Sequence, residues 1–438
     1  MSVQMPYDNT EKEVSRRSRS WLWVPLLYFF RGMVLASLLS VTLVMLKRMG
    51  MSNALATAST AWLALPWVLR LLLRRVTAVG GTPWHWVVAM QAVFALAMLG
   101  VALTEKPHSG GLMVWIFLAI GALSGGIHDV VASDLSAVWV SGSRQKEDFA
   151  SIGRRQVVAL LFFLLALLVG LGLVLVMAGD MEVLSRSMDE SWSTTFKALA
   201  LFLIALACFV ALALPRHVAI SHIPSPSLAN SRTPTFGWFW GGVLLVLFTL
   251  HQWMLWRGTL LFLVDPGSIG GLSLGPQEVG FAQGTVSVLA MMMGCVLGWK
   301  ALSKWGMTRC LLPMAAAATL PDVMLLDLAF RMPTDLLAIS TCLSIEAFGC
   351  GFAMIGLILY IRCNAYGEGN SSHADICLAW VMLSAMIGGW CTGLFQDYFG
   401  YRRFFMIVSA LAILAFVAAA VSYLISKNDK DTHCGPVF

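Results

Sequence analysis

The sequence predicts an all-α membrane protein: twelve transmembrane helices arranged as two six-helix halves. Three observations predict it. Only 12% of the 438 residues are charged against 58% hydrophobic, and the mean hydropathy is +0.79. The apolar residues gather into runs of about twenty, roughly the span of a hydrocarbon core. One long polar interruption, ALPRHVAISHIPSPSLANSRTPTFG, divides these runs six and six. A bilayer offers no water to backbone groups, and the runs lack the alternation of barrel strands, so each closes its own hydrogen bonds as a helix.

Polar breaks place the spans, in order, at about 22–46, 52–73, 84–103, 111–138, 153–178, 195–214, 237–263, 278–298, 307–329, 334–361, 373–395 and 403–425. The first run follows the polar, basic MSVQMPYDNTEKEVSRRSRS; it is too long for a signal h-region and has no A-x-A cleavage pattern. Arg74 and Arg75 follow span two, Arg144 and Lys146 span four, Arg216 and Arg232 span six, and Lys300 and Lys304 span eight. With the N-terminus inside, cytoplasmic segments hold roughly 18 Lys and Arg against about 8 outside, the bias of the positive-inside rule. The expected organisation is a cytoplasmic segment at 1–20, an N-terminal six-helix bundle at 21–214, a cytoplasmic linker at 215–236, a C-terminal six-helix bundle at 237–426 and a cytoplasmic tail at 427–438 of an inner-membrane protein.

The composition also excludes. Nine cysteines show no CxxC spacing and six lie inside apolar runs, where cysteine is a small hydrophobe. No disulfide framework and no metal site are expected. The net charge of +6 reports loop bias before any polyanionic partner. No HExxH or GxSxG element appears, so the chain is not expected to be an enzyme.

Two six-helix halves joined by a cytoplasmic linker resemble the major facilitator transporters, whose substrate site lies at the midplane between halves. The loop Gly298-Trp299-Lys300-Ala301-Leu302-Ser303-Lys304-Trp305-Gly306 resembles that superfamily's short Gly/basic/Gly connection. The resemblance implies that spans 1, 4, 7 and 10 line the cavity and that 2, 5, 8 and 11 flank it. Nearly all intramembrane ionisable residues fall on those spans: Arg31, His128, Asp129, Asp134, Arg154, Arg155, His251, Arg257 and Glu346. A charge at bilayer depth is costly unless it faces a wet interior or a partner, so these are the functional candidates.

Arg31, near the midplane, either binds an anionic substrate or pairs with Glu346 or another residue. Glu346 is a candidate to carry a proton, with His251 beside it in that role. Asp129, close to the cytoplasmic side, and Arg155, at the start of span five with Arg154, are expected to meet across the inner mouth, as a gate or as a permanent structural pair. Arg257, placed near the outer mouth, either binds substrate or snorkels. Trp253 and Trp380 are candidates to stack on a sugar ring, while His128 reads as a helix-packing residue and Asp322, after Pro321, as part of a kink.

Tyr28-Phe29-Phe30-Arg31-Gly32, Leu46-Lys47-Arg48-Met49-Gly50-Met51-Ser52 and Leu65-Pro66-Trp67-Val68-Leu69-Arg70 resemble the first two spans of the muropeptide permease (AmpG-type) branch, which is related to acetyl-CoA transporters and siderophore permeases. His128-Asp129-Val130, Gly153-Arg154-Arg155, Phe262-Leu263-Val264-Asp265, Glu278-Val279-Gly280, Glu346 with Gly349 and Gly351, and Gly393 through Tyr401 follow the same order. Where that branch usually has Ala-Pro-Leu-x-Asp after span two, this chain has Leu72-Leu73-Arg74-Arg75. The resemblance implies an alternating-access permease, a proton symporter importing an anionic solute such as a muropeptide, with a siderophore or peptide-like permease, an exporter or a non-transporting sensor as the alternatives. Its expected partners are the lipid bilayer, a small anionic solute and protons, with no nucleic acid and no cofactor, in a monomer.

Overall fold

The computed structural model describes residues 23–104, 111–141, 149–215, 236–366 and 371–427, and every regular element among them is a helix. In chain order they are α1 (Trp23–Arg48), α2 (53–78), α3 (Pro83–Leu103), α4 (Leu112–Ser141), α5 (149–185), α6 (Met188–Ala213), α7 (Phe236–Val264), α8 (Pro276–Trp305), α9 (Met307–Arg331), α10 (Leu336–Tyr366), α11 (371–399) and α12 (401–427). Residues 1–20, the linker from 216 to 235 and the tail beyond 427 lie outside the described residues.

Local chemistry sets the ends. Ser52, Thr82 and Ser187 cap α2, α3 and α6 by accepting the backbone N–H groups of Leu55, His85 and Glu190. Pro83 opens α3, where its missing N–H costs nothing. Gly306 (φ 78°) turns the chain between α8 and α9, and Gly400 (φ 73°, ψ 168°) separates α11 from α12. The sequence put a loop between about 178 and 195, but α5 runs to Ser185 and α6 begins at Met188. Asp189 and Glu190 occupy the first turn of α6, where negative charge meets the positive end of the helix dipole, so this polar stretch starts a helix.

The end of the bundle at which α1 begins is the near end; the opposite one is the far end. Two helix pairs, α2 with α11 and α5 with α8, join the first six helices to the last six. The α5–α8 pair meets where both helices relax into π turns, Leu168–Leu173 and Gly280–Val286. Gly172 faces Gly284 so closely that a Cβ added at Gly284 would stand 2.4 Å from the Cα of Gly172. Gly284→Ala therefore forces the helices apart and lowers stability by about 1–3 kcal/mol. Thermal unfolding in detergent measures it, with Gly80→Ala, where nothing lies within 4 Å, as the neutral control.

α2 is interrupted around Pro66, which has no N–H to give the helix. Gly125 and Gly126 of α4 lie against this bend; a Cβ at Gly126 would touch Pro66 at 2.6 Å. Two glycines thus bring α4 close to α2, one turn before Asp129. That proximity positions the site.

Candidate functional site

Three polar layers cross the boundary between the halves. The near-end layer is built around Arg70 of α2, 2% exposed. Its Nη1 donates to Asp129 Oδ2 at 2.7 Å, its Nε to Asp375 Oδ1 at 2.9 Å and its Nη2 to Ser133 Oγ at 3.1 Å. Arg74, one turn later, meets Asp134 Oδ1 at 2.5 Å and Asp375 Oδ2 at 2.8 Å. Arg31 of α1 pairs with the other oxygen of Asp129, its guanidinium 4.8 Å from the centre of the Tyr28 ring. Three guanidinium groups and three carboxylates are interleaved, and Asp375 of α11 ties the second half to the first.

This arrangement revises the sequence reading in its partners. Asp129 gives its two oxygens to Arg31 and Arg70 instead of to Arg155, because the glycine-lined contact of α4 with α2 brings Arg70 to it. Arg155 is half-buried and Arg154 exposed at the start of α5. Arg31 is engaged by a carboxylate of the chain itself, and Asp134 is the partner of Arg74. His128 packs against Phe30, ring centroids 4.6 Å apart, with Gln91 3.2 Å from its Nε2.

The far-end layer centres on Asp265, just beyond α7. Lys47 Nζ of α1 lies 2.8 Å from its Oδ1, and Asn53 Nδ2 of α2 donates to Oδ2 at 2.6 Å. Tyr401 of α12 donates its hydroxyl to the same Oδ2, and Asn53 also donates to Gln396 of α11. The backbone N–H of Ala54 donates to Asp397 at 3.0 Å. This layer also joins helices of both halves.

Between the layers, Arg257 of α7 reaches α2, donating from Nη1 to Thr60 Oγ1 at 2.7 Å and to the Thr57 carbonyl at 3.5 Å. It is 1% exposed, buried where the sequence had placed it at the outer mouth. Trp256 donates to Ser40 of α1 at 3.2 Å. Trp253 packs on Gly388 of α11, and Trp380 lies against Gly242 of α7. A stripe of Gly388, Gly389 and Gly393 lets α11 lie against both α7 and α2.

A fourth group sits within the last six helices. His251 Nε2 of α7 lies 3.8 Å from Asp322 Oδ2, in the 3-10 turn Leu320–Asp322 that bends α9. Glu346 of α10 is buried within electrostatic range of Asp322. Among the described residues, neither oxygen of Asp322 has a hydrogen-bond partner. Sequence reasoning left Lys47, Asn53, Arg70, Asp265, Asp375, Gln396 and Tyr401 without a role, and assigned Asp322 only the part of a kink, which the 3-10 turn carries.

No protein-family model matches the chain, and no curated protein matches it. Solved structures do. The xylose transporter XylE from E. coli, in a partially occluded inward-open conformation, superposes with a TM-score of 0.64 at 12% identity over 92% of this chain and 97% of that one. The fold is the major facilitator fold. A D-xylose-proton symporter structure matches with a TM-score of 0.62 at 14% identity over 93% of this chain and 97% of that one. A point mutant of the nucleoside transporter NupG gives 0.62 at 13% identity over 91% and 98%. The three polar layers lie where the first six helices meet the last six.

Proposed function

We propose that the protein is a secondary active transporter of the inner membrane, working by alternating access and coupling the import of an anionic solute to protons. The observation that carries this reading is the pair of polar layers sealing opposite ends of one interface. Each is a lock. Opening one while the other holds exposes the space around Arg257 to one side at a time. Ion pairs suit such locks, because in buried pairs the Coulomb attraction is largely offset by desolvation, and water replaces the partner when the end opens.

The near end is the cytoplasmic one, by the distribution of basic residues, with both termini inside. His251, Asp322 and Glu346 form the proton site; a carboxyl without a hydrogen-bond partner, in a water-poor interior, is the group whose protonation changes local interactions most. The matched D-xylose-proton symporter supports proton coupling in this fold. A sugar peptide of the muropeptide kind is the solute that the sequence resemblance favours.

Uptake into proteoliposomes tests the reading. An inward proton gradient is expected to drive accumulation of one of labelled anhydro-muropeptide, ferric siderophore or acetyl-CoA, collapsing with a protonophore. If no anionic solute responds to a gradient of either direction, the chain keeps the fold without coupled transport.

A further inference from the structure

Every other cation in the polar layers has a carboxylate partner: Arg31, Arg70 and Arg74 at the near end and Lys47 at the far end. Arg257 has none among the described residues. A guanidinium stays protonated, so the chain holds a full positive charge at the interface of the halves with only a threonine hydroxyl and a backbone carbonyl to meet it. Such a charge at bilayer depth is costly.

The geometry shows which ligand would offset the cost. Nη1 is tethered to Thr60, while Nε and Nη2 have no hydrogen-bond partner among the described residues. Nε–H and Nη2–H project in parallel from one edge of the guanidinium and together form the fork that accepts two oxygens of a planar anion. The tether uses the other nitrogen and leaves this edge whole. Gly389 presents only hydrogen to the group; a Cβ there would stand 3.1 Å from Cζ and 3.2 Å from Nε. The Trp256 indole, fixed to Ser40, is the next residue on the helix.

We propose that Arg257 is the anion anchor of the transported solute, gripping a pair of carboxylate or phosphate oxygens side-on through Nε and Nη2 at the level between the two locks. The assignment deepens the transporter reading and rests on it for the word "transported"; the binding itself does not.

The experiment uses the full chain in detergent and three probes that share a ring: N-acetylmuramic acid with a carboxylate, an N-acetylglucosamine phosphate, and neutral N-acetylglucosamine. The wild type is expected to melt higher with at least one anionic probe and not with the neutral one, and the anionic arm that binds names the oxyanion. Arg257→Gln is expected to weaken that binding by about tenfold or more, the worth of a charged bidentate pair. Arg257→Lys keeps the charge without the fork and restores only part of it. Without any probe, Arg257→Met is expected to melt higher than wild type, since an uncompensated buried charge is gone, whereas a structural arginine would leave it melting lower. The proposal is overturned if Arg257→Gln binds the anions as wild type does, if the empty Arg257→Met protein melts lower, or if neither anionic probe binds the wild type. That last result leaves proton-driven uptake to be judged by its own assay.

Discussion

Arg70→Ala is expected to abolish uptake and to destabilise the protein by about 3–5 kcal/mol, the cost of stripping a buried ion pair of one partner. Arg70 serves two carboxylates at once, Asp129 of α4 and Asp375 of α11, through different nitrogens. Removing it leaves Asp129 to Arg31 alone and Asp375 to Arg74 alone. Arg70→Lys does not rescue, because a single ammonium cannot reproduce a planar group that reaches two carboxylates and Ser133 together. The double variant Arg70→Met/Asp375→Met separates stability from closure. It removes one charge of each sign, leaving Arg31 with Asp129 and Arg74 with Asp134, so it is expected to melt well above the Arg70→Ala protein while its near end stays open and uptake stays lost. Thermal unfolding, uptake and labelling of a near-end cysteine by an impermeant thiol reagent read these outcomes. An Arg70→Ala protein melting with the wild type would show that the near-end lock contributes nothing to the closed state.

Asp322→Asn is expected to uncouple transport from protons. The substitution keeps shape and removes titration at a carboxyl with no hydrogen-bond partner and His251 3.8 Å away. A pH difference of one unit is worth about 1.4 kcal/mol per proton, or about tenfold accumulation. Wild type should reach that ratio, and Asp322→Asn should stop near equality while still exchanging labelled for unlabelled solute. Thermal stability should not fall, because no hydrogen bond is removed. Glu346→Gln, which changes the neighbouring carboxyl, is expected to reduce accumulation in the same assay. Full proton-driven accumulation by both variants would exclude this cluster from coupling.

The helices were legible because a membrane imposes one length on every span, and the apolar runs carry it. The shift at α5 and α6 arose where an acidic stretch, Met188 to Ser191, served as a helix start. The sequence also marked charges of the interior: Asp129, His251, Arg257 and Glu346 are buried and Arg31 is half-buried. Their partners were not legible. Arg74 read as the basic fringe of a loop because the apolar run ends at Leu73, and Arg70 as the end of a short motif, yet α2 continues to Ala78 and keeps Arg70 buried. Asp375 read as the polar start of a span, and Asp265 and Tyr401 as parts of short motifs. Pairing Asp129 with Arg31 and Arg70 requires α4 to lie across α1 and α2, a tertiary fact that the Gly125-Gly126 pair hints at but does not fix. The departure after span two has the same origin: here the cations sit on α2 and the acids on α4 and α11.

The charge tally of the locks bears on how the membrane potential would act. The near-end layer sums to zero, three arginines against three aspartates, and at the far end Lys47 offsets Asp265. A scaffold whose hinged parts carry balanced charge feels little of the roughly 2.3 kcal/mol that 100 mV exerts on each elementary charge crossing the membrane. With an oxyanion on Arg257 the loaded centre is balanced too. The pre-steady-state current in a voltage-clamped bilayer is then expected to show little gating charge, and the steady-state current to count protons against solute.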